Sequence, residues 1–529
     1  MSKQVVLYDT TLRDGTQGEQ VNLSAEDKLR IAQKLDAFGF HYIEGGWPGS
    51  NPKDARFFEM ARKCTFHTAR LTAFGSTSRA RRRPEEDANV QALLMTEVGT
   101  LAVFGKSWDL HVTQALGVSL NENLRMIENT LNYLKKQGRE VLYDAEHFFD
   151  GYKGNPTYAI ETLRAAVNGG ADAIVLCDTN GGTMPEEIRA IFDEAKSSLE
   201  VPIGIHAHND CGLALANSLV AVQCGAHMVQ GTINGYGERC GNVDLISVIG
   251  NLQLKMGFQC ISPHRQRQLT ELSRFVSEVA NVPPLNQRPF VGKSAFAHKG
   301  GIHVSAISKL PAAYEHISPE QIGNRRRVLV SDLSGKSNID FKAREMDIKL
   351  GGNGYNSERI VREIKRLEDK GYQFDAAEGS LELLIKKVTG QFDEPFILES
   401  FRVTTEKDRS GASSSQATIK IAVGDDYEIT AAEGDGPVNA LDNALRKALA
   451  KFFPQIGEMA LVDFKVRVID GRDATAAKVR VQIESRDSRE IWSTIGVSEN
   501  IIEASWQALV DSVQYKLLKG FKENDKHEK

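Results

Sequence analysis

The sequence has little cysteine and no long apolar run. Its 529 residues include six cysteines, and none of these forms a CxxC pair, which disfavours a disulfide framework and fits a reducing compartment. The first apolar run starts at Val5 with no hydrophobic leader segment before it, and no apolar stretch is long enough to span a bilayer. We therefore expect a cytoplasmic protein.

A strong excess of charge of one sign is also missing. Lysine and arginine number 65 against 70 aspartates and glutamates, which gives a formal net charge of −5, and the basic residues are dispersed. This balance argues against nucleic acid as the main partner. Residues 79–83 and 325–327 are short basic runs that we interpret as solvated loops, with a site for an anionic cofactor as the alternative.

The usual nucleotide-binding motifs are incomplete in this chain. Gly-Lys-Ser triplets begin at Gly105, Gly292 and Gly335, and each lacks the glycine five residues earlier that a P-loop requires. Gly235 and Gly237 are followed by Cys240 where a dinucleotide-binding fingerprint needs a glycine. We therefore expect neither ATP nor NAD as a ligand.

The first half of the chain does contain a regular alternation of short apolar runs and helix-like segments. The runs lie at residues 5–8, 42–43, 71–74, 101–104, 141–143, 173–176, 203–205 and 228–232. Ser24, with Asp27 in the next turn, predicts a capped helix, and Pro185 suits the first turn of another. Strand then helix, eight times, predicts an α/β fold, a (β/α)8 TIM barrel, with a doubly wound open sheet as the alternative.

The pattern of apolar and polar residues changes twice in the second half of the chain. Residues 258 to 395 are typical of helices and loops, with a Gly/Asn-rich break at 351–354. The pattern changes near residue 398, and alternating apolar residues follow at 418–423 and 479–483. Phe401 and Phe464, 63 positions apart, open two similar stretches that each end in a helix-like segment, which predicts a duplicated βββα module. We expect a barrel at 1–280, helical linker subdomains at 281–395 and a C-terminal α+β domain at 396–529.

A glycine-rich turn precedes the first helix of this duplicated module. Residues 434–437, Gly-Asp-Gly-Pro, leave the N-terminal amides of the helix available to an anion such as an amino-acid carboxylate. An ordinary turn before a helix explains the same residues equally well.

Polar motifs follow several of the predicted strands at the same end. Asp14 follows the first run, and His206 and His208 end the seventh, where positions i and i+2 of a strand share a face. Because barrel chemistry lies at the C-terminal ends of the strands, these three residues predict a divalent metal site. Asn242 is a candidate for a further oxygen ligand, with a loop-stabilising amide as the alternative. Two nitrogens and oxygen ligands suit zinc, manganese or, less well, magnesium.

Other polar residues at this end are candidates for substrate contacts. Arg13 suits a carboxylate or a developing enolate oxygen, although a structural salt bridge is the competing explanation. Thr179 can donate to a substrate carboxylate, and His111 either contacts the substrate or packs in its loop. Glu44 and Asp210 are candidate acceptors that fix the imidazole tautomers.

Two strings resemble the signatures of a known enzyme family. LRDGTQ at residues 12–17, with Lys28 downstream, resembles the first signature of the 2-isopropylmalate synthase and homocitrate synthase family, and HAHNDCGLALA at 206–216 resembles the second. The resemblance continues at 237–242 and 300–303 and covers nearly the whole chain. The segment YIEGGWPGSNPKD at 42–54 is most similar to the branch that uses pyruvate on a route to isoleucine.

The resemblance implies an acyltransferase. In this family the co-substrate acetyl-CoA loses a methyl proton, its enolate attacks the ketone of a 2-oxo acid, and water hydrolyses the thioester. It implies that Arg13 stabilises the developing alkoxide and that Glu146, His303 and Tyr314 are the acid and base candidates. It also implies a homodimer in which His303 and Tyr314 can come from the partner chain, and an allosteric C-terminal domain whose expected effector is isoleucine.

The side-chain pocket is where this sequence departs from the family pattern. Asp144 stands where many isopropylmalate synthases carry a small hydroxyl residue, and a carboxylate there would repel an anionic substrate unless it is paired or turned away. Phe74 and Phe104 are expected pocket walls that favour a small substrate such as pyruvate, unless both rings belong to the barrel core. The alternatives are a longer 2-oxo acid, a lyase on the same barrel, or a non-catalytic metabolite sensor.

Overall fold

A computed structural model of the chain describes residues 4–351, 355–407, 409, 411, 413–469 and 477–527. The chain divides into two compact units, one formed by Met1–Phe296 with Ile317–Arg325 and the other by Ala297–His316 with Arg326–Lys529. The boundaries expected at residues 280 and 395 stay a prediction. No helix in the described ranges combines the length and the apolar character needed to cross a bilayer.

The first unit is a closed barrel of eight parallel strands in sequential order, with the last strand paired to the first. The strands are β1 Val6–Asp9, β2 Tyr42–Gly46, β3 Arg70–Ser76, β4 Thr100–Lys106, β5 Glu140–Glu146, β6 Ala173–Asp178, β7 Ile203–Ala207 and β8 Met228–Gly231. Each coincides with one of the eight apolar runs. The (β/α)8 barrel is therefore confirmed, and the doubly wound open sheet is excluded.

Helices separate the strands and cover the outside of the barrel unit. They are α1 Ala25–Phe38, α2 Pro52–Ala61, α3 Ala88–Met95, α4 Leu120–Lys136, α5 Phe148–Gly154, α6 Pro156–Asn168, α7 Pro185–Ser197, α8 Ala214–Cys224, α9 Leu245–Leu254, α10 Pro263–Gln266 and α11 Leu269–Val279. The expected cap of α1 is confirmed, because Ser24 Oγ accepts the Asp27 N–H at 3.0 Å. Pro185 is the first residue of α7, as its sequence position predicts.

The core of the barrel unit lies in two layers, because strand residues alternate between the barrel interior and the surrounding helices. The outer layer packs aliphatic strand residues against the helices. The inner layer is smaller and includes Tyr8, Phe74, Val175 and Cys177. Every residue of β1 and β6 is buried. The inner layer leads directly to the polar ends of the strands.

In its described residues, the second unit contains helices and three small sheets. A two-stranded parallel sheet pairs β9 Ala297–His298 with β10 Arg327–Val328, and the helices are α12 Gly301–Ile307, α13 Lys336–Glu345, α14 Tyr355–Asp369 and α15 Glu378–Thr389. Of the expected Gly/Asn-rich break, residues 352–354 lie outside the described residues. The sequence did not reveal β9 and β10, since strands of two residues leave no periodic pattern.

The C-terminal part of this unit repeats one arrangement. Three antiparallel strands, β11 Ile397–Lys407, β12 Ser413–Val423 and β13 Asp426–Gly434, precede α16 Pro437–Ala450, and β14 Ala460–Val468, β15 Val479–Arg486 and β16 Ile491–Ser498 precede α17 Ile501–His527. The apolar faces of both sheets and both helices share one core. The duplicated βββα module is therefore confirmed.

Candidate active site

Three predicted metal ligands meet at the C-terminal mouth of the barrel. Asp14 Oδ2 lies 3.3 Å from His206 Nε2 and 3.9 Å from His208 Nε2, and the two Nε2 atoms are 3.3 Å apart. All three side chains are buried, and their ligand atoms lie within 4.8 Å of one another. One cation can therefore contact all three.

Unpartnered polar atoms support a metal at this point. Asp14 Oδ1 and Asn242 Oδ1 are buried with no hydrogen-bond partner among the described residues. An isolated backbone bridge pairs Asn242 with His208, which places the two residues side by side. Burial and the neighbouring His206 lower the pKa of His208 to about 3, so this imidazole is neutral and able to bind a metal.

Local hydrogen bonds explain why the chain after β1 turns back over the barrel mouth. Thr11 donates from its backbone N–H and its hydroxyl to the buried Asp9 carboxylate, at 3.0 and 2.8 Å. The same hydroxyl accepts the Ile233 N–H at 2.8 Å, which ties the loop to the end of β8. Asp14 follows this fixed turn, and its place opposite His206 depends on it.

Arg13 is held between two carboxylates and an aromatic ring. Its Nε donates to Glu44 Oε1 at 2.6 Å, its Nη1 lies 3.2 Å from Asp14 Oδ2, and its guanidinium carbon lies 3.9 Å from the centroid of the Phe74 ring. Burial alone would lower the pKa of Arg13, but Glu44 and Asp14 hold it above its ordinary value. Both proposed roles, anion ligand and salt-bridge partner, are compatible with this geometry.

A small cavity of about 170 Å³ opens beside the triad. Trp47, Phe74 and Phe104 form one wall: the two phenyl rings stack at 5.2 Å, and the indole meets each of them edge-on, at 5.8 and 5.4 Å. The expectation that Phe74 and Phe104 line the pocket is confirmed. Other lining residues include Gln17, Asp144, Glu146, Cys177, Thr179 and Glu238.

Glu146 and Thr179 face the same cavity from neighbouring strands. Glu146 ends β5 and forms an ion pair with Lys106 at the end of β4. Thr179 follows β6, and its Oγ1 accepts the His147 N–H at 2.8 Å. This hydrogen bond leaves the hydroxyl proton of Thr179 to donate elsewhere.

Asp144 is paired rather than free. It is 3% exposed, its Oδ1 accepts from Gln230 Nε2 at 3.1 Å, and Gln230 Oε1 lies 2.9 Å from His206 Nδ1. Burial, and then the charge of Glu44, raise the pKa of Asp144 to about 7. The repulsion expected from a carboxylate at this position is therefore reduced.

Two expected contacts of the imidazoles are wrong. Glu44 accepts instead from Tyr8 Oη at 2.6 Å and from Arg13, and Asp210 pairs with Arg239 at 2.7 Å. Glu44 lies on β2, where Tyr8 and Arg13 occupy both of its carboxylate oxygens. Gln230, which the sequence analysis did not select, contacts His206.

The remaining predicted residues are His111 in the barrel unit and His303 and Tyr314 in the second unit. His111 begins a π-helical turn, His111–Leu116, and packs between Trp108 and His147, with ring centroids 4.9 and 4.3 Å away. His303 and Tyr314 belong to the second unit, where their rings stack at 4.2 Å. Their proposed catalytic roles stay predictions.

Two important residues had weak sequence signals. Gln230 is the one polar side chain of β8, Met228–Gly231, and a polar residue inside a barrel strand points to an interior contact. Trp47 lies in the segment that resembles the pyruvate-using branch, but nothing in its spacing indicates that the indole reaches the cavity. The pairing of β2 with β3 and of β3 with β4 decides this, because it brings the three strands side by side.

Comparisons with known proteins agree with this architecture. The HMGL-like family model matches residues 4–276, the homocitrate synthase post-HMGL domain-like model matches 290–372, and the LeuA allosteric (dimerisation) domain model matches 375–517. The (R)-citramalate synthase of Geobacter sulfurreducens is 55% identical over 97% of this chain and 98% of its own length. The (R)-citramalate synthase of Aquifex aeolicus is 53% identical over 98% of this chain and 99% of its own length. The chain belongs to the citramalate synthase family.

A more distant relative places this family in a wider group. The 2-isopropylmalate synthase of Methanocaldococcus jannaschii is 32% identical over 98% of this chain and 95% of its own length. Membership of the citramalate synthase family confirms the resemblance seen at residues 12–17 and 206–216. The match to the LeuA model confirms a regulatory type of C-terminal domain after the barrel.

Proposed function

We propose that this chain is an acyltransferase that condenses acetyl-CoA with pyruvate and hydrolyses the thioester, giving (R)-citramalate and free CoA on a route to isoleucine. The observation that carries the proposal is the small cavity beside Asp14, His206 and His208. Its wall of Trp47, Phe74 and Phe104 fits a methyl group and crowds a branched or carboxylated side chain. The near full-length identity to (R)-citramalate synthases supports the same reaction.

Arg13 and Thr179 are the proposed ligands of the 2-oxo acid. The Glu44 carboxylate fixes the guanidinium through Nε, and the Phe74 ring packs against it, so its orientation is set before the substrate binds. Its positive charge stabilises the oxygen that becomes negative when the ketone is attacked. The free proton of Thr179 donates to the substrate carboxylate.

Glu146, His303 and Tyr314 are the proposed acid and base groups. Glu146 lines the cavity, and its ion pair with Lys106 limits its rotamers. The stacked His303 and Tyr314 rings are exposed on the second unit, where a partner chain has access to them. We propose that they complete the site of the other subunit of a homodimer.

Asp14, His206, His208 and Asn242 are the proposed holders of a divalent metal, either zinc, manganese or magnesium. A bound cation would polarise the 2-oxo acid as a Lewis acid. The unpartnered carboxylate oxygen of Asp14 and amide oxygen of Asn242 support this set, since buried polar groups otherwise find hydrogen bonds.

The C-terminal module is the proposed site of feedback control by isoleucine. Gly436 caps α16 and Pro437 is its first residue, as the sequence predicts. The backbone N–H groups of the first turn are therefore available to donate to a carboxylate. We further propose that the enzyme works in the cytoplasm, which is consistent with six free thiols.

A substrate panel tests the proposed function. Release of CoA is measured with acetyl-CoA and pyruvate, 2-oxoisovalerate or 2-oxoglutarate, each with and without isoleucine or leucine. We expect kcat/KM for pyruvate to exceed the others by about tenfold or more, since one extra methylene in a tight pocket costs roughly 1–3 kcal/mol. A preference for 2-oxoisovalerate would contradict the choice of substrate, and a lack of response to isoleucine would contradict the choice of effector.

A further inference from the structure

A buried chain of hydrogen bonds crosses the barrel interior behind the metal triad. Asp144 on β5, Gln230 on β8 and His206 on β7 are 3%, 0% and 5% exposed. The amide of Gln230 joins the other two, with Nε2 donating to Asp144 Oδ1 at 3.1 Å and Oε1 lying 2.9 Å from His206 Nδ1. His206 and Gln230 are register partners on adjacent parallel strands, which sets their side chains next to each other.

The hydrogen-bond directions in this chain follow from the orientation of the Gln230 amide. Its NH2 group faces Asp144, and a carboxyl group keeps an accepting oxygen in either protonation state. The amide oxygen then faces His206, and because this oxygen can only accept, the proton of the neutral imidazole must be on Nδ1. The Nε2 lone pair of His206 consequently points at Asp14 and His208.

We propose that Gln230 is a positioning residue that selects the metal-binding tautomer of His206, with Asp144 setting the orientation of the amide. The proposal rests on the proposed metal at Asp14, His206 and His208. It gives Asp144 a role in the site although its carboxylate departs from the family pattern.

The chemistry at position 230 explains why an amide serves better than a second carboxylate. A glutamate there would place a second acid directly against the buried Asp144, and two such charges repel strongly in a low-dielectric interior. The Gln230 amide instead hydrogen-bonds to both residues. Asp144 therefore orients the amide, and the amide orients His206, without a second charge. Outer hydrogen bonds of this kind are worth about 10- to 100-fold in metal affinity.

Two variants of the full-length chain separate orientation from packing. Gln230→Met keeps the approximate size and removes the acceptor for His206. The exchange variant combines Asp144→Asn with Gln230→Glu, so the amide introduced on β5 donates to the carboxylate introduced on β8, which still accepts from His206. Gln266→Met is the matched control, because Gln266 is a buried glutamine of the same unit whose contacts are Gln253 and the Gln321 carbonyl.

The primary measurement is calorimetric titration of metal-stripped protein with Mn²⁺ alone. We expect Gln230→Met to weaken Mn²⁺ binding by about 10- to 100-fold, and the exchange variant and Gln266→Met to stay within about threefold of the unaltered chain. Equal affinity of Gln230→Met and the unaltered chain would overturn the proposal. So would a loss in the exchange variant as large as in Gln230→Met, because orientation would then not be the property that matters.

A second measurement reads the tautomer without the metal. In protein labelled with ¹⁵N-histidine, the resonances of His206 are assigned from their disappearance in His206→Asn. We expect the Nδ1–H form in the unaltered chain and in the exchange variant, and the Nε2–H form or a mixture in Gln230→Met. An Nε2–H form in the unaltered chain would refute the part assigned to Gln230. Failure of the unaltered chain to bind Mn²⁺ would contradict the metal proposal alone, and the tautomer would still decide the role of Gln230.

Discussion

At the scale of single residues, Arg13 shows how opposite charges in this site compensate each other. The two oxygens of Glu44 accept from Tyr8 and Arg13, both at 2.6 Å, so a buried carboxylate and a buried guanidinium satisfy each other. Burial of either charge alone would cost several kcal/mol. Because Arg13 is already removed from water and held by Glu44 in the folded chain, it needs little rearrangement when an anion binds.

Substitution of His206 tests the metal set directly. We expect His206→Ala to abolish metal-dependent turnover while the far-UV circular dichroism spectrum stays unchanged, since the imidazole lies at a strand end beside the cavity. His264→Ala, on the exposed surface of α10, is the control. Full activity of His206→Ala with an unchanged requirement for metal would refute the ligand assignment.

Substitution of Phe104 tests the size of the pocket. Phe104→Ala removes one of the two stacked rings, so we expect the ratio of kcat/KM for 2-oxobutyrate to that for pyruvate to rise by about tenfold, which corresponds to one accommodated methylene. Steady-state rates of CoA release provide the measurement. Phe275→Ala, on α11, removes an equal ring far from the cavity lining and should leave the ratio unchanged.

The strands of the barrel were predictable at the scale of elements, but their ends were not. A run such as 173–176 is apolar throughout, because β6 is buried on both faces. The run at 42–43 is shorter than β2, which continues through Glu44 to Gly46. An apolar run ends where a charged residue begins, so the run stops before Glu44. The contacts of Glu44 with Tyr8 and Arg13 make this glutamate acceptable inside a buried strand.

Helices α1 and α2 are joined by a buried ion pair that supports the cavity wall. Lys28 on α1 pairs with Asp54 on α2, and Asp54 also accepts the Trp47 N–H at 2.8 Å. We expect Lys28→Met to lower the free energy of unfolding by about 3–5 kcal/mol, because it leaves Asp54 buried and unpaired. Urea denaturation followed by circular dichroism measures the loss.

A second lysine of the same helix provides the control for this prediction. Lys34 pairs with the exposed Glu271, and an exposed pair of this kind contributes roughly 0–1 kcal/mol. Lys34→Met should therefore change the unfolding free energy by no more than about 1 kcal/mol. Similar losses of unfolding free energy in Lys28→Met and Lys34→Met would show that the buried pair contributes no more to stability than the exposed pair.

The whole molecule is proposed to act as a homodimer that shares its active sites. If His303 serves the site of the partner subunit, co-expression of His206→Ala with His303→Ala produces mixed dimers that each contain one intact site. We expect about a quarter of the activity of the unaltered enzyme to return, since about half of the dimers are mixed and each has one working site of two.

The control for this complementation pairs two defects in one site. Asp14 and His206 belong to the same barrel unit, so co-expression of Asp14→Asn with His206→Ala leaves every site with at least one defect. CoA release should then stay at the level of the single variants. The same failure for His206→Ala with His303→Ala would mean that each chain uses its own His303 or does not use it at all.

The sequence by itself determined the barrel, the duplicated module and the places of Asp14, His206 and His208, because local periodicity and short motifs carry that information. Only the tertiary structure decided that Gln230 joins Asp144 to His206 and that Trp47 reaches the cavity. These contacts connect residues up to 86 positions apart. No local pattern specifies them, since they depend on the register and closure of eight strands.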